Sequence, residues 1–185
     1  QYAQYRNQRG FKTLVLDIEQ LYLQHAWGIR KHPYAIRSFI LEMFNEWNIQ
    51  PQYLFLIGKS VNASVAKNNR WYELNLVPTW SVLGSDVGFS SGLQGTQLEP
   101  SIATGRIAAN TPEEVLDYLE KVKQHESNPP AEWMKNILHF GGGQNSGEQS
   151  TFKRYLEGYQ ATAEVPFFGG KIHTFLKNSS APLQI

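Results

Sequence analysis

Residues 33–58 read PYAIRSFILEMFNEWNIQPQYLFLIG, a stretch of helical period followed by a short apolar run of strand length. Pro33 suits the first turn of a helix, where its missing backbone N–H is harmless. Apolar side chains then recur every three or four residues, at Tyr34, Ile36, Phe39, Ile40, Met43, Phe44 and Trp47. This spacing predicts an amphipathic helix of about four turns. Tyr53 to Ile57 follows as a predicted strand that ends at Gly58.

The same alternation continues on both sides of this stretch. Before it, we predict a helix over residues 1–9 that Gly10 ends, a strand from Phe11 to Ile18 buried on both faces, and a short helix from Glu19 to Ala26. After it, we predict strands at 102–107, 136–140 and 171–176, and helices from Thr111 to about His125 and from Ser146 to Ala163. Alternating strands and helices are typical of an α/β layer fold with a mostly parallel sheet. Because no repeat or clear linker interrupts them, we predict a single domain over residues 1–185.

Composition excludes several classes of function. The chain of 185 residues has 17 Lys+Arg against 16 Asp+Glu, a formal charge of +1. This near balance argues against a dedicated nucleic-acid binder, which needs a surplus of cations on one face. No apolar run approaches the roughly 18 residues of a membrane-spanning helix. The absence of cysteine excludes disulfides, thiolate metal sites and a cysteine nucleophile from these residues.

Residues 60–99 change character, because glycine, proline, asparagine and serine are dense there and strong periodicity is missing. A stretch of this length is often a functional loop region. Within and after it, Ser85-Asp86 and Gly105-Arg106 are candidate ligand-binding pairs. We favour a turn for Ser85-Asp86 and a structural ion pair between Arg106 and Asp86. Ser60 also follows a strand, but its neighbours do not form the G-x-S-x-G nucleophile elbow.

A glycine-rich turn at Gly141–Gly143 lies between a predicted strand and a predicted helix. Such turns can bind phosphate, because free amides and the helix dipole point at them. The spacing matches neither of the two phosphate-binding glycine motifs, and Glu148 would place a negative charge in the first turn of the helix. We therefore favour a structural turn over a phosphate site.

The five histidines do not form a metal-binding pattern. His139 lies on a predicted strand between Leu138 and Phe140, where a hydrogen-bonded core role is favoured over catalysis. The others, at His25, His32, His125 and His173, form no H-x-x-x-H or H-E-x-x-H pair. We predict no catalytic residue, metal or cofactor site among these residues.

Five segments of the chain form an ordered set. They are Tyr2–Arg6 with Gly10-Phe11, His32–Phe39, Gln52–Gly58, Val77-Pro78 with Ser85-Asp86, and Pro100–Ile107 leading into Thr111–Glu114. Each segment is unspecific alone, whereas the ordered set is fairly specific. In this order they resemble the first half of the catalytic domain of the gingipain-type cysteine peptidases, and especially the sortase-like PorU branch of type IX secretion in Bacteroidetes.

The resemblance implies a caspase-like or flavodoxin-like three-layer α/β sandwich, here the first subdomain of a peptidase domain with the start of the second. Such an incomplete domain would need the remainder of its own catalytic domain as a partner. The resemblance also implies a peptide or protein substrate bound across the ends of the parallel strands. The Cys-His dyad of the family would lie outside this chain, which agrees with its lack of cysteine.

The resemblance also suggests where substrate binds. Gingipains select basic side chains with an acidic residue shortly before the Gly-Arg strand, and that position falls near Gln97, with Glu99 close by. A neutral Gln97 would not hold an arginine by charge, so gingipain specificity is not expected here. The candidate pocket residues are then Ser85, Asp86, Gln97, Glu99 and Arg106.

Two further functions remain open. One is a non-catalytic caspase-like module that serves as a binding scaffold in secretion or gliding, and the other is a small-ligand domain that uses the Gly141–Gly143 turn. The resemblance implies a secreted or cell-surface location at the bacterial outer membrane.

Overall fold

The computed structural model describes residues 1–66, 69–81, 84–179 and 181. Residue contacts divide the chain into two compact units, Gln1–His125 and Glu126–Ile185. The single domain predicted over residues 1–185 stays a prediction. Within the described residues, no helix is long and apolar enough to cross a membrane.

The first unit contains two parallel strands and most of the helices. Its elements are α1 (Tyr2–Gln8), α2 (Ile18–His25), α3 (Tyr34–Glu46), β1 (Tyr53–Ile57), α4 (Asn69–Leu74), a 3-10 turn (Val87–Phe89), β2 (Ala103–Ile107) and α5 (Pro112–Ser127), which ends just past the unit boundary. Strands β1 and β2 pair in parallel, from Tyr53 opposite Ala103 to Ile57 opposite Ile107. Their carboxyl ends therefore lie at the same edge.

Helices cover both faces of β1, because alternate side chains of a strand point to opposite faces. On one face, Leu56 joins the buried core formed with α2 and α3. On the other face, the Phe55 ring stacks on Tyr2 of α1 at 4.9 Å and on Tyr118 of α5 at 6.2 Å between centroids. This arrangement confirms the predicted α/β class with helices on either side of parallel strands.

The apolar spacing of α3 explains the core of the first unit. Ala35, Ile36 and Ile40 are almost completely buried and pack against Tyr22 of α2 and Phe89 of the 3-10 turn. Burial in this apolar site raises the pKa of the Tyr22 hydroxyl. The helix predicted after Pro33 is confirmed.

The strand predicted from Phe11 to Ile18 is wrong. Residues 11–17 form no strand, their side chains are exposed, and Ile18 already begins α2. A strand needs a neighbouring backbone to complete its hydrogen bonds. Here Thr13 bonds to α1 instead, and Asp17 caps α2 by accepting a hydrogen bond from the Glu19 amide.

The second unit is a strand, a helix and a strand. Strands β3 (Asn136–Gly141) and β4 (Lys171–Leu176) pair in parallel, and α6 (Ser146–Ala163) connects them. The α6 side chain Leu156 packs close to Gly141. On the other face, the rings of Phe140 and Phe175 stack at 5.4 Å. The predicted strands and helix are confirmed, while the four strands described lie in two separate two-stranded sheets.

Candidate functional site

The carboxyl edge of β1 and β2 is where the predicted pocket residues can be assessed, because ligands of open parallel sheets bind beyond this edge. Gly58 follows β1 directly and has a φ of +138°, a left-handed value that favours glycine. A Cβ there would lie 2.8 Å from Cγ2 of Val77. The backbone of the 76–77 segment can approach β1 only because Gly58 has no side chain.

The Arg106 side chain forms hydrogen bonds to several chain segments at this edge. Its Nη1 donates to the carbonyl oxygens of Gly58 and Val77 at 2.7 and 2.9 Å, and its Nη2 donates to Pro78 at 2.9 Å. Its Nε and Nη2 also form a bidentate pair with the Asp86 carboxylate at 2.7 and 2.8 Å. A guanidinium has five N–H groups, so every donor of Arg106 is already used.

This geometry confirms the ion pair predicted between Arg106 and Asp86. The two side chains are only 12% and 21% exposed. A bidentate arginine–carboxylate pair adds geometric specificity, and in a partly buried setting the removal of one partner leaves the other charge uncompensated. Arg106 has no free donor left to clamp a substrate carboxylate, so its role in this structure is to hold three loop segments in place.

Ser85 lies in the turn before Asp86. Its hydroxyl accepts a hydrogen bond from the Val87 amide at 3.2 Å, and its carbonyl accepts from the Thr79 hydroxyl and the Trp80 amide at 3.0 and 2.9 Å. These bonds join Ser85 to Thr79, Trp80 and Val87. The Ser85 hydroxyl therefore bonds within its own loop region, whereas the Asp86 carboxylate accepts mainly from Arg106 of β2 and lies 3.3 Å from the Thr79 hydroxyl.

A second arginine, Arg37 of α3, binds backbone carbonyls of the same loop region. Its Nη1 donates to the carbonyl oxygens of Gly88 and Ser91 at 2.6 and 2.9 Å, and its guanidinium lies 5.2 Å from the centre of the Trp80 ring. Gly88 packs directly on that ring, where an added Cβ would come within 1.8 Å of Trp80 Cδ1. Sequence reasoning missed this clamp because its members are distant along the chain.

Gln97 and Glu99 lie on the exposed part of the same loop region. Hydrogen bonds from the backbone amides of Glu99 itself, Leu98 and Gln97 lower the pKa of the Glu99 carboxyl below its usual range. The Leu98 amide donates to Glu99 Oε2 at 3.2 Å. Leu98 is 84% exposed. Residues 97–99 therefore present a neutral amide, an apolar side chain and a carboxylate to solvent.

The Gly141–Gly143 turn is occupied by the protein's own side chains. Asn145 caps α6 by accepting from the Glu148 amide at 3.0 Å, and Glu148 Oε2 accepts from the Gln144 amide at 2.8 Å. Gly143 is needed because a Cβ would lie 2.8 Å from the Gln149 backbone nitrogen. The Glu148 carboxylate sits where an anion would bind, which supports the structural turn over a phosphate site.

Among the described residues of the second unit, neither His139 nor His173 forms an ion pair with an acidic side chain. His139 lies opposite Thr174, and its Nδ1 and the Thr174 hydroxyl are buried without a hydrogen-bond partner among the described residues. In the same described ranges, no group of three or more histidine, aspartate or glutamate side chains could hold a metal ion.

Comparison with known proteins adds one finding. Residues 1–178 match the family described as Peptidase family C25. No curated protein and no solved structure matches the chain. The match covers both compact units, so it applies to nearly the whole sequence.

Proposed function

Because the chain belongs to peptidase family C25, we propose that it is the substrate-positioning part of a gingipain-like cysteine peptidase domain. The family supports the chemistry of a cysteine-type peptidase acting on protein. The chain has no cysteine, so the nucleophile must come from other polypeptide. We place the Cys-His dyad outside these residues.

One structural observation carries the positioning role. All five donors of Arg106 bind oxygens of Gly58, the 77–78 segment and Asp86, at the carboxyl edge of β1 and β2. This network holds Gly58, the 77–78 segment and Asp86 together at the carboxyl ends of β1 and β2. A rigid surface formed by these residues can position an extended peptide. Positioning the substrate lowers the entropic cost of the reaction.

We assign the five candidate residues to two roles. Asp86, Arg106 and Ser85 bond to the loops and set their shape. Gln97 and Glu99 are exposed and would meet the substrate. Gln97 offers no charge to hold a basic side chain, so we do not propose the arginine or lysine preference of the gingipains.

The test of the chemistry needs the complete protein that contains this chain. We expect it to cleave peptides and to lose that activity after thiol alkylation. The matched control is the 185-residue chain alone, which should be inactive before and after alkylation because it has no thiol. Cleavage of peptides by this chain alone, or by the complete protein after full alkylation, would contradict the proposal.

The test of the pocket uses a charge introduced at Gln97. In the complete protein, Gln97→Glu should raise kcat/KM for peptides with a basic side chain at the cleavage site about tenfold, through a new ion pair. The control is Gln94→Glu, which places the same charge elsewhere on the loop. Equal effects of both variants would show only a general electrostatic attraction and would remove Gln97 from the pocket.

The absence of cysteine from these residues is equally compatible with a second candidate, a non-catalytic caspase-like scaffold. In that case the complete protein would bind peptide at the same carboxyl edge of β1 and β2 but would not cleave it. The scaffold function would be supported if the complete protein binds peptides from a library, leaves them uncleaved and forms no thiol-dependent product.

We also propose the PorU-like branch, type IX secretion and a secreted or cell-surface location. These rest on the resemblance of the quoted segments. Fractionation of the producing cells tests the location, and an exclusively cytoplasmic protein would contradict it.

A further inference from the structure

The 91–100 loop carries Gln97 and Glu99, the two residues that are exposed and would meet the substrate. An antiparallel backbone bridge between Ser91 and Pro100 joins the two ends of this loop. The loop therefore begins and ends at one place, here called its base. Whatever holds the base also sets where Gln97 lies.

Hydrogen bonds stabilise the loop at its base and at its turn. At the base, the Ser101 amide and hydroxyl donate to the Ser90 carbonyl at 3.3 and 2.8 Å. At the turn, the Thr96 amide and hydroxyl donate to the Leu93 carbonyl at 3.0 and 2.8 Å. Because both places are bonded internally, we expect the loop to shift as a unit when its base shifts.

Arg37 of α3 holds the base of the loop. Its Nη1 donates to the carbonyl oxygens of Gly88 and Ser91 at 2.6 and 2.9 Å, and these are the only hydrogen bonds of its guanidinium within the described residues. Arg37 directly follows Ala35 and Ile36, which are 0% and 2% exposed. Its backbone is therefore fixed in the core of the first unit, and the base of the loop is fixed to that core through its side chain.

Gly92 brings the part of the loop that carries Gln97 close to Arg37. A Cβ on Gly92 would lie 3.6 Å from the Gln97 carbonyl oxygen and 4.0 Å from Arg37 Nη2. Gly92 has a φ of +69°, a left-handed value that favours glycine. The guanidinium thus binds the first arm of the loop and lies near the backbone of the second.

We propose that Arg37 is a positioning residue for substrate selection. By binding the carbonyls of Gly88 and Ser91, it sets where the Gln97 side chain meets the substrate. A displacement of about 1 Å is enough to weaken a positioned contact strongly. This inference rests on the proposed function, because it requires that Gln97 contacts a side chain of the peptide.

The first experiment is a mutant cycle in the complete protein that contains this chain. It measures kcat/KM for two peptides that differ only in a basic or a neutral side chain at the cleavage site. The ratio of the two values does not depend on the fraction of enzyme that is folded, so a merely structural role would not change it. Gln97→Glu should raise this ratio about tenfold in the otherwise unchanged protein and at most about twofold together with Arg37→Met.

Two further variants separate positioning from charge. Arg37→Lys keeps the charge but lacks the planar guanidinium, so it should restore part of the gain. An effect of charge alone has the opposite sign, because removal of a cation would strengthen the attraction between the new carboxylate and a basic side chain. The matched control is Arg30→Met, which removes an exposed cation before α3 and should leave the tenfold gain unchanged.

The second experiment measures hydrogen exchange in the complete protein. The Ser91 amide donates to the Val87 carbonyl at 3.0 Å, and the Ser101 amide donates to Ser90 at the base of the loop. Both amides should exchange about tenfold faster in Arg37→Met, because loss of the guanidinium frees the base. Arg30→Met should leave both rates unchanged.

The outcomes separate this inference from the proposed function. A complete protein that cleaves no peptide would contradict both. Cleavage with an undiminished gain in Arg37→Met, equal losses in Arg37→Met and Arg30→Met, or unchanged exchange at Ser91 and Ser101 would overturn the role of Arg37 alone. No gain from Gln97→Glu in the otherwise unchanged protein would remove Gln97 from the pocket and overturn this role as well.

Discussion

The guanidinium of Arg106 shows how one residue can organise a whole edge of the protein. It replaces water at three carbonyl oxygens and both oxygens of Asp86. Removing it would leave a partly buried carboxylate and three carbonyls without donors, which is costly because buried polar groups need partners.

The first prediction compares two bidentate arginines. Arg106→Lys should lower the free energy of unfolding by about 3 kcal/mol, because a lysine has fewer donors and no planar fork. Arg30→Lys is the control. Arg30 pairs with Glu19 in the same bidentate geometry but is 60% exposed, so solvent screening should make its replacement much less costly than that of Arg106. Urea denaturation measures both, and equal losses would contradict the network.

The second prediction concerns the Arg37 clamp. Gly88→Ala should destabilise the first unit by about 2 kcal/mol, because the new methyl group would overlap the Trp80 ring. Gly142→Ala serves as the control, since no atom lies within 4 Å of its added Cβ. Thermal unfolding measures the difference. A Gly88→Ala variant as stable as Gly142→Ala would show that the ring can move aside.

The third prediction is the pH dependence of Glu99. Its folded-state pKa lies below the ordinary value of 4.5, because backbone amides bond to the carboxylate. Such a group stabilises the fold fully above its unfolded pKa, and the contribution disappears as pH falls through the folded pKa. Wild type should therefore exceed Glu99→Gln in stability at pH 7, and the difference should vanish on acidification. A difference that grows towards low pH would contradict this sign.

At the scale of elements, α6 shows that local signals are enough to define a helix. Asn145 accepts from the Glu148 amide, and the Glu148 carboxylate accepts from the Gln144 amide, so the start of the helix is stabilised by residues that are near neighbours in sequence. The observed helix, Ser146–Ala163, has the bounds predicted from the sequence.

The fourth prediction uses two variants of α6 with opposite effects. Asn145→Ala should destabilise the second unit by about 1 kcal/mol through loss of the cap. Gly158→Ala should stabilise it by about 0.5–1 kcal/mol, because Gly158 lies inside the helix and its added Cβ has open space. Thermal unfolding measures both, and shifts of the same sign would contradict the assignment of the cap and the helix interior.

Residues Phe11–Asp17 show where element prediction fails. Its composition is that of a buried strand, but strand formation depends on a neighbour, and the described chain supplies none. A helix completes its backbone hydrogen bonds internally, whereas a strand completes them only through tertiary contact.

At the scale of the whole molecule, the single domain predicted over residues 1–185 has a direct test. Four of the five tryptophans belong to the first compact unit, and Trp133 belongs to the second. If the chain is one cooperative domain, unfolding followed by Trp133 alone should coincide with unfolding followed by the other four. Variants that keep one set and replace the other by phenylalanine separate the signals. Two distinct midpoints would contradict a single domain.

Sequence alone was sufficient to predict the α/β class, the helices α3 and α6, and the strands β1, β3 and β4, because periodicity, caps and turn residues act within a few positions. It also identified Asp86 and Arg106 as an ion pair. Only the tertiary structure decided that Arg106 has no donor left for a ligand, that Arg37 and Gly88 clamp the loop region, and that residues 11–17 remain unpaired. The first two features depend on groups that lie 20 to 54 positions apart in sequence, and the third depends on the lack of a neighbouring strand among the described residues, so no local pattern records them.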